Sequence, residues 1–294
     1  MTVLQTLSGH SKDLGGGFMV RRLLPAARQL SVGPFIFFDH FGPVTEQPGV
    51  NHDVRPHPHI GLATVTYLFE GAMMHRDSLG SAQRIAPGAI NWMTAGRGIV
   101  HSERAPEDLR GTAYVNHGLQ LWAALPLAYE ETAPAFSHTP AESIPELTVD
   151  GARVRVLIGE AFGKTSPVKT FSKTVYLDVQ LAAGSVLTLP PLGDELAVYP
   201  VDGELQVDGE ALSMHTLATL TPGQPTEISA GAAVRLVVIG GDALDAHRFM
   251  WWNFVSSRKE RIVQASDAWN AQALGQVPGE TEFIPLPERR FSAD

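Results

Sequence analysis

The 294-residue chain contains no cysteine. Disulfides, thiolate metal sites, cysteine nucleophiles and thiol redox switches are therefore excluded. No hydrophobic run approaches the roughly 20 residues that a bilayer-spanning helix needs. Met1 to Gly17 also lacks the apolar centre of a secretion signal. The expectation is a cytoplasmic, monomeric protein that spans no membrane. Basic charge is scarce as well: 22 Lys and Arg stand against 31 Asp and Glu, a formal net charge of -9. A field of that sign repels phosphate backbones. The basic runs are short, Arg21-Arg22, Arg258-Lys259 and Arg289-Arg290, so direct nucleic-acid binding is not expected. There is no Gly-x-Ser-x-Gly elbow, no P-loop and no dinucleotide fingerprint after a strand.

What is present is turn chemistry. Gly and Pro number 28 and 21, and hydrophobic residues make up 44% of a chain only 18% charged. That composition favours an all-β design over a helical bundle. The glycine triplet Gly15-Gly16-Gly17 reads as a turn before a strand over 18–24. Phe35, Phe37, Phe38 and Phe41 mark a buried anchoring segment. Further strands are expected at 64–69, 73–76, 89–93, 99–103, 117–122 and 153–159, separated by signals such as Glu70-Gly71 and Pro87-Gly88. Residues 127–150, rich in Glu, Pro and Ala, read as a connector. Ser257 and Glu260 form a capping-box pattern. With Ile262, Ser266, Trp269 and Ala273 at helical spacing and Gly275 as a stop, they predict a helix over about 257–274. The tail from Val277 to Asp294 reads as extended.

One stretch carries chemistry. It opens with Arg55-Pro56-His57-Pro58-His59 and closes with His101-Ser102-Glu103. Residues i and i+2 of a strand share a face. His57 with His59, and His101 with Glu103, can therefore look into one cavity from two facing strands. Three imidazoles and a carboxylate suit a borderline divalent metal. His40 and His52 could be extra ligands, but neither has a spaced partner, and both read as structural or as supports behind the ligands. His75 could line the cavity, but it reads as a packing or surface residue.

The second half repeats the turns of the first. Tyr67 to Gly71 is echoed by Tyr199 to Gly203, and Pro87-Gly88 by Pro222-Gly223. On those offsets Leu189, Pro191, Leu236 and Val238 replace the four ligands, so the second half is expected to hold no metal.

The segments Phe37 to Phe41, Arg55 to Gly61, Thr64 to Gly71, Trp92 to Glu103 and His117 to Trp122 together resemble the pirin family. The likeness is strong over about residues 30–126 and weaker beyond. It implies a bicupin, two cupin-type β-barrels with a short C-terminal helix. Residues 1–126 would form a metal-binding barrel, 127–150 a connector, and 151–294 a metal-free barrel with helix and tail. It further implies one divalent transition metal, Fe(II), on His57, His59, His101 and Glu103, though other divalent ions suit the same donors. Cupins often add a glutamate soon after the paired histidines. Here Ala63 and Thr64 stand nearby, leaving Glu103 the only obvious carboxylate. Some pirins are similar to quercetin 2,3-dioxygenases, which implies O₂ and a small planar phenolic substrate, with Glu103 as the catalytic proton acceptor. Other pirins are regulators. The alternative is an iron-dependent protein that binds a transcription factor or metabolic enzyme without turnover.

Overall fold

The computed structural model describes residues 3–14, 17–49 and 52–293. Gly15 and Gly16 of the glycine turn lie outside these residues; Gly17, at φ +86°, leads into the strand Met19–Leu24. The described residues are mostly β, with one α-helix among them. Among the described residues no helix is long and apolar enough to cross a membrane.

The chain forms two compact units, each assembled from separate stretches. One takes residues up to 11, 21–39 and 142–243; the other takes 12–20, 40–141 and 244 onward. In the first, a seven-stranded antiparallel sheet runs in the order Val3–Ser8, Thr216–Leu220, Glu195–Pro200, Val234–Gly241, Thr174–Leu181, Ala152–Ile158, Glu146–Val149. A four-stranded sheet has the order Val186–Leu189, Thr226–Ser229, Leu205–Val207, Glu210–Leu212. Leu177, Leu187, Val198, Ile228 and Leu236 belong to one buried apolar cluster. This core is aliphatic throughout, which suits strands buried on an inner face.

The second unit contains a four-stranded sheet in the order Val54–His59, Ile99–Arg104, Met73–Asp77, Ala82–Ile85. The seven-stranded sheet that contains Leu62–Glu70 runs Ala135–Thr139, Ile90–Thr94, Leu62–Glu70, Tyr114–Ala124, Phe35–Glu46, Met19–Leu24, His10–Asp13. All four phenylalanines of the expected anchor are buried in the strand Phe35–Glu46. Within 127–150 the chain is not a bare linker. Ala135–Thr139 pairs with Ile90–Thr94, and Glu146–Val149 pairs with Ala152–Ile158. Proline and glutamate mask both strands in the sequence because each is an exposed edge of its sheet, where alternation is shallow.

The sheet order also corrects the repeat alignment. Ile99–Arg104 lies beside Val54–His59 in a four-stranded sheet, whereas Val234–Gly241 lies in a seven-stranded one. Its counterpart by position is Thr226–Ser229. The register His57↔His101 matches Leu187↔Ile228, and His59↔Ile99 matches Leu189↔Thr226. The ligand positions of the first unit therefore fall on Leu187, Leu189 and Ile228, with Ala230 for Glu103. All four are buried in the aliphatic core. The Pro-Gly echo misled because the two turns are not equivalent: Pro87-Gly88 precedes Ile90–Thr94, whereas Pro222-Gly223 follows Thr216–Leu220, the strand in the corresponding place.

The helix spans Lys259–Asn270, shorter at both ends than the spacing predicts. Ser257 does not cap it. Its backbone N–H and its hydroxyl both donate to Glu130, at 2.8 Å each, and Arg258 takes the N-cap position. A buried carboxylate outcompetes the helix end for that serine. Ile262, Ala265, Ser266 and Trp269 form the buried face, packed with Ile60, Val100 and Phe254. Ala273, expected on that face, lies past the helix and is exposed. The tail is not simply extended: it turns at Pro278-Gly279, where Glu280 N–H donates to the Val277 carbonyl at 3.1 Å, and then runs on without regular secondary structure among the described residues. Glu280 accepts from the Ser102 hydroxyl at 2.6 Å and pairs with Arg104, and Ile284 N–H donates to the Pro56 carbonyl at 2.8 Å. This strap lies across the strands that bear the histidines.

Candidate metal centre

Val54–His59 is the edge strand of its sheet, which lets it carry two prolines without breaking a central ladder. Pro56 and Pro58 alternate with His57 and His59, and both histidines turn inward, at 6% and 1% exposure. The register against Ile99–Arg104 slips between His101 and Glu103, where Val54 replaces the regular partner. This bulge places Arg55 and Pro56 opposite Ser102. On its other side Ile99–Arg104 is regular, with His101 opposite Asp77 and Glu103 opposite His75.

The outcome is a cluster of His57, His59 and His101, each offering a ring nitrogen, all such atoms lying within 4.8 Å of one another. Ring centroids stand 4.3 Å apart for His57–His101 and 5.0 Å for the other two pairs. The outward nitrogens are tied down. His57 Nδ1 donates to the Arg55 carbonyl at 2.9 Å, and His59 Nδ1 donates to the Asn253 carbonyl at 3.2 Å. A carbonyl only accepts, so both rings carry their proton on Nδ1 and keep the Nε2 lone pair for the cluster. His101 Nδ1 meets His75 Nδ1 at 3.4 Å, and its Nε2 is buried with no hydrogen-bond partner. Leaving such an acceptor orphaned costs about 1–3 kcal/mol. A divalent ion relieves that cost, and the donor set fits one.

The electrostatics agree. Burial pushes His57 down to about 4, against the opposing effect of the hydrogen bond it donates to the Arg55 carbonyl. Burial first, and then the neighbouring imidazoles, hold His59 and His101 well below the usual histidine value. All three are therefore neutral at neutral pH, the form in which an imidazole can ligate a metal. Glu103, half-buried, lies one pleat along from His101 and outside the three-histidine cluster. Burial pushes its carboxyl up to about 7.

His40 and His52 sit elsewhere, as their lack of a spaced partner predicts. His40 Nε2 faces His117 Nε2 at 2.8 Å, and His52 Nδ1 faces Glu46 at 2.8 Å. His75 differs from its expected surface or packing role in one respect: it is 3% exposed and lies directly behind His101. The signal was its own i, i+2 pair, His75-x-Asp77, on the return strand. No local signal marks Asn253, which is 194 residues from the ring it anchors. Two aromatic side chains complete the surroundings. Trp122 meets His59 edge-on at 5.1 Å, and Phe136 stacks on His75 at 4.2 Å.

Paired antiparallel sheets in duplicate, with histidines converging on the inner face of one copy, define a two-domain cupin whose His₃ cluster suits a divalent metal. The pirin family model matches residues 17–123, and the model of the pirin C-terminal cupin domain matches residues 176–275. The chain belongs to the pirin family. A pirin-like protein of Caulobacter vibrioides is 45% identical, over 94% of this chain and 96% of its own. A putative quercetin 2,3-dioxygenase of Pseudomonas aeruginosa is 38% identical, over 91% of this chain and 84% of its own. Among solved structures, a quercetin 2,3-dioxygenase from Acinetobacter baumannii superposes with a TM-score of 0.90 at 34% identity, covering 99% of this chain and 98% of that one.

Proposed function

We propose that this pirin is a mononuclear Fe(II)-dependent dioxygenase of flavonol-type enols such as quercetin, with His57, His59, His101 and Glu103 as the metal-binding set. The observation that carries the reading is the cluster of three neutral, buried imidazoles whose outward nitrogens are already hydrogen-bonded. The two relatives named for quercetin cleavage support the choice of substrate. Fe(II), when bound, supplies a Lewis-acidic, redox-active centre of net positive charge that favours a deprotonated enol oxygen. Neutral histidines leave that charge undiminished. Glu103 would take the enol proton once its bond to the metal loosens. Trp122, edge-on to His59, supplies an apolar wall beside the cluster. A cytoplasmic, monomeric protein belongs to the same proposal.

The test is anaerobic loading with Fe(II), addition of quercetin, and admission of air. Flavonol absorbance should fall with one O₂ consumed per molecule cleaved. Fully loaded protein that leaves every flavonol intact would overturn the dioxygenase reading and advance the regulator, which would bind a protein partner without turnover.

A further inference from the structure

His57 and His59 are oriented by backbone carbonyls, but His101 is not. Its Nδ1 meets a side chain instead, and that side chain is held by a buried carboxylate. Asp77 is 0% exposed. Its Oδ1 accepts the backbone N–H groups of Leu79 and Ser81 at 2.9 and 3.0 Å. Its Oδ2 faces His75 Nε2 at 3.0 Å. Phe136 stacks flat on the His75 ring, at 10° between planes, and limits its rotation.

We infer that His75, held by Asp77, is a positioning residue that fixes His101 in its Nδ1–H form and aims its Nε2 at the metal. The inference rests on the histidine cluster being a metal centre. The direction of each hydrogen bond follows from donor and acceptor counting. A carboxylate only accepts, so His75 Nε2 carries the proton. With that one proton on Nε2, the Nδ1 of His75 offers only a lone pair, and His101 Nδ1–H donates to it across 3.4 Å. That leaves a lone pair on His101 Nε2, the buried atom without a partner. The carboxylate–imidazole–imidazole line also differs in kind from the two carbonyls. It directs negative charge toward one ligand, which favours the higher oxidation state of a bound metal.

The decisive variant is Asp77→Asn. Leu79 and Ser81 still donate, so the amide oxygen must stay where Oδ1 was, and the NH₂ must face His75 Nε2. His75 would then carry its proton on Nδ1 and drive the proton of His101 to Nε2, closing the ligand position at almost unchanged volume. His75→Phe removes the acceptor but keeps the stack on Phe136. His75→Asn keeps an acceptor close to the Nδ1 position and serves as the rescue.

Three readouts are needed: ¹⁵N NMR of the imidazoles in metal-free protein, Fe(II) affinity by anaerobic competition with a chelator, and the Fe(III)/Fe(II) midpoint potential. Asp77→Asn and His75→Phe should each lower affinity about 10–100-fold and raise the potential, while His75→Asn stays near wild type. Asp77→Asn should also move the His101 proton from Nδ1 to Nε2. Thermal unfolding of each metal-free variant separates ligand orientation from loss of fold. If both Asp77→Asn and His75→Phe bind Fe(II) as wild type does, with unchanged potential, the inference is overturned. Wild-type protein that binds no metal would instead overturn the metal reading on which it rests.

Discussion

Histidine and glutamate respond to the same burial in opposite senses, and the site sets three of one against one of the other. An unfolded histidine takes a proton near 6.5, whereas folded His57 resists it down to about 4 and His59 and His101 are also depressed. Over that window the unfolded chain binds more protons at these sites, so their contribution to stability is lost as pH falls. Glu103 is raised to about 7 from an ordinary 4.5. Its contribution is present at low pH and is lost as pH rises through 7. Three sites outweigh one, so chelator-treated protein should unfold at lower temperature at pH 5 than at pH 6.5. Scanning calorimetry across that range checks it, and Glu103→Gln should steepen the trend. Metal binding has its own signature. If Glu103 is a ligand, wild type should release about one proton per ion at pH 6, and Glu103→Gln none, as read by calorimetry in buffers of different ionisation heat. At this scale the sequence was informative where chemistry had a period. His57, His59 and His101 stand out by i, i+2 spacing, and His75-x-Asp77 has the same spacing. That spacing alone does not distinguish a ligand from the group behind it.

Elements show where local pattern and tertiary contact part company. Gly61 follows the histidine strand at φ +69°, and a Cβ there would lie 2.0 Å from the carbonyl oxygen of Val255. Val255 N–H in turn donates to the Ile60 carbonyl at 3.3 Å, and two residues earlier Asn253 anchors His59. Gly61→Ala should therefore cost at least about 1–3 kcal/mol of stability and weaken metal affinity in the same variant. Denaturant titration and chelator competition together check it; normal affinity in a destabilised variant would break the link. The short strands were legible from turn residues and β-branched runs, and the helix from Ile262, Ser266 and Trp269. Its true start was not, because Glu130, distant in sequence, claims Ser257. The edge strands at 135–139 and 146–149 were hidden for a related reason: their pairing is tertiary and their composition resembles a loop.

At the scale of the whole chain, duplication has split two tasks. One unit keeps buried polar donors. The other fills the same positions with Leu187, Leu189 and Ile228, each contributing about 1.5–3 kcal/mol by burial. Elemental analysis should find one transition-metal ion per chain. His57→Ala with His101→Ala should abolish it, since nothing at the matching positions of the other unit can ligate. Metal retained in that double variant would place the ion elsewhere. The duplication itself could be read from the Tyr67-to-Gly71 and Tyr199-to-Gly203 echo. Its register could not, because the two Pro-Gly turns sit on opposite ends of corresponding strands.

The histidine wall is finished by residues far downstream. Asn253 steadies His59, Glu280 grips Ser102 and Arg104, and Ile284 holds Pro56. Synthesis runs from the N-terminus, so all three imidazoles leave the ribosome well before those braces exist. A growing chain thus carries the three imidazoles before their braces. The geometry of the cluster is therefore a product of downstream sequence, completed only when residues 253–284 have followed.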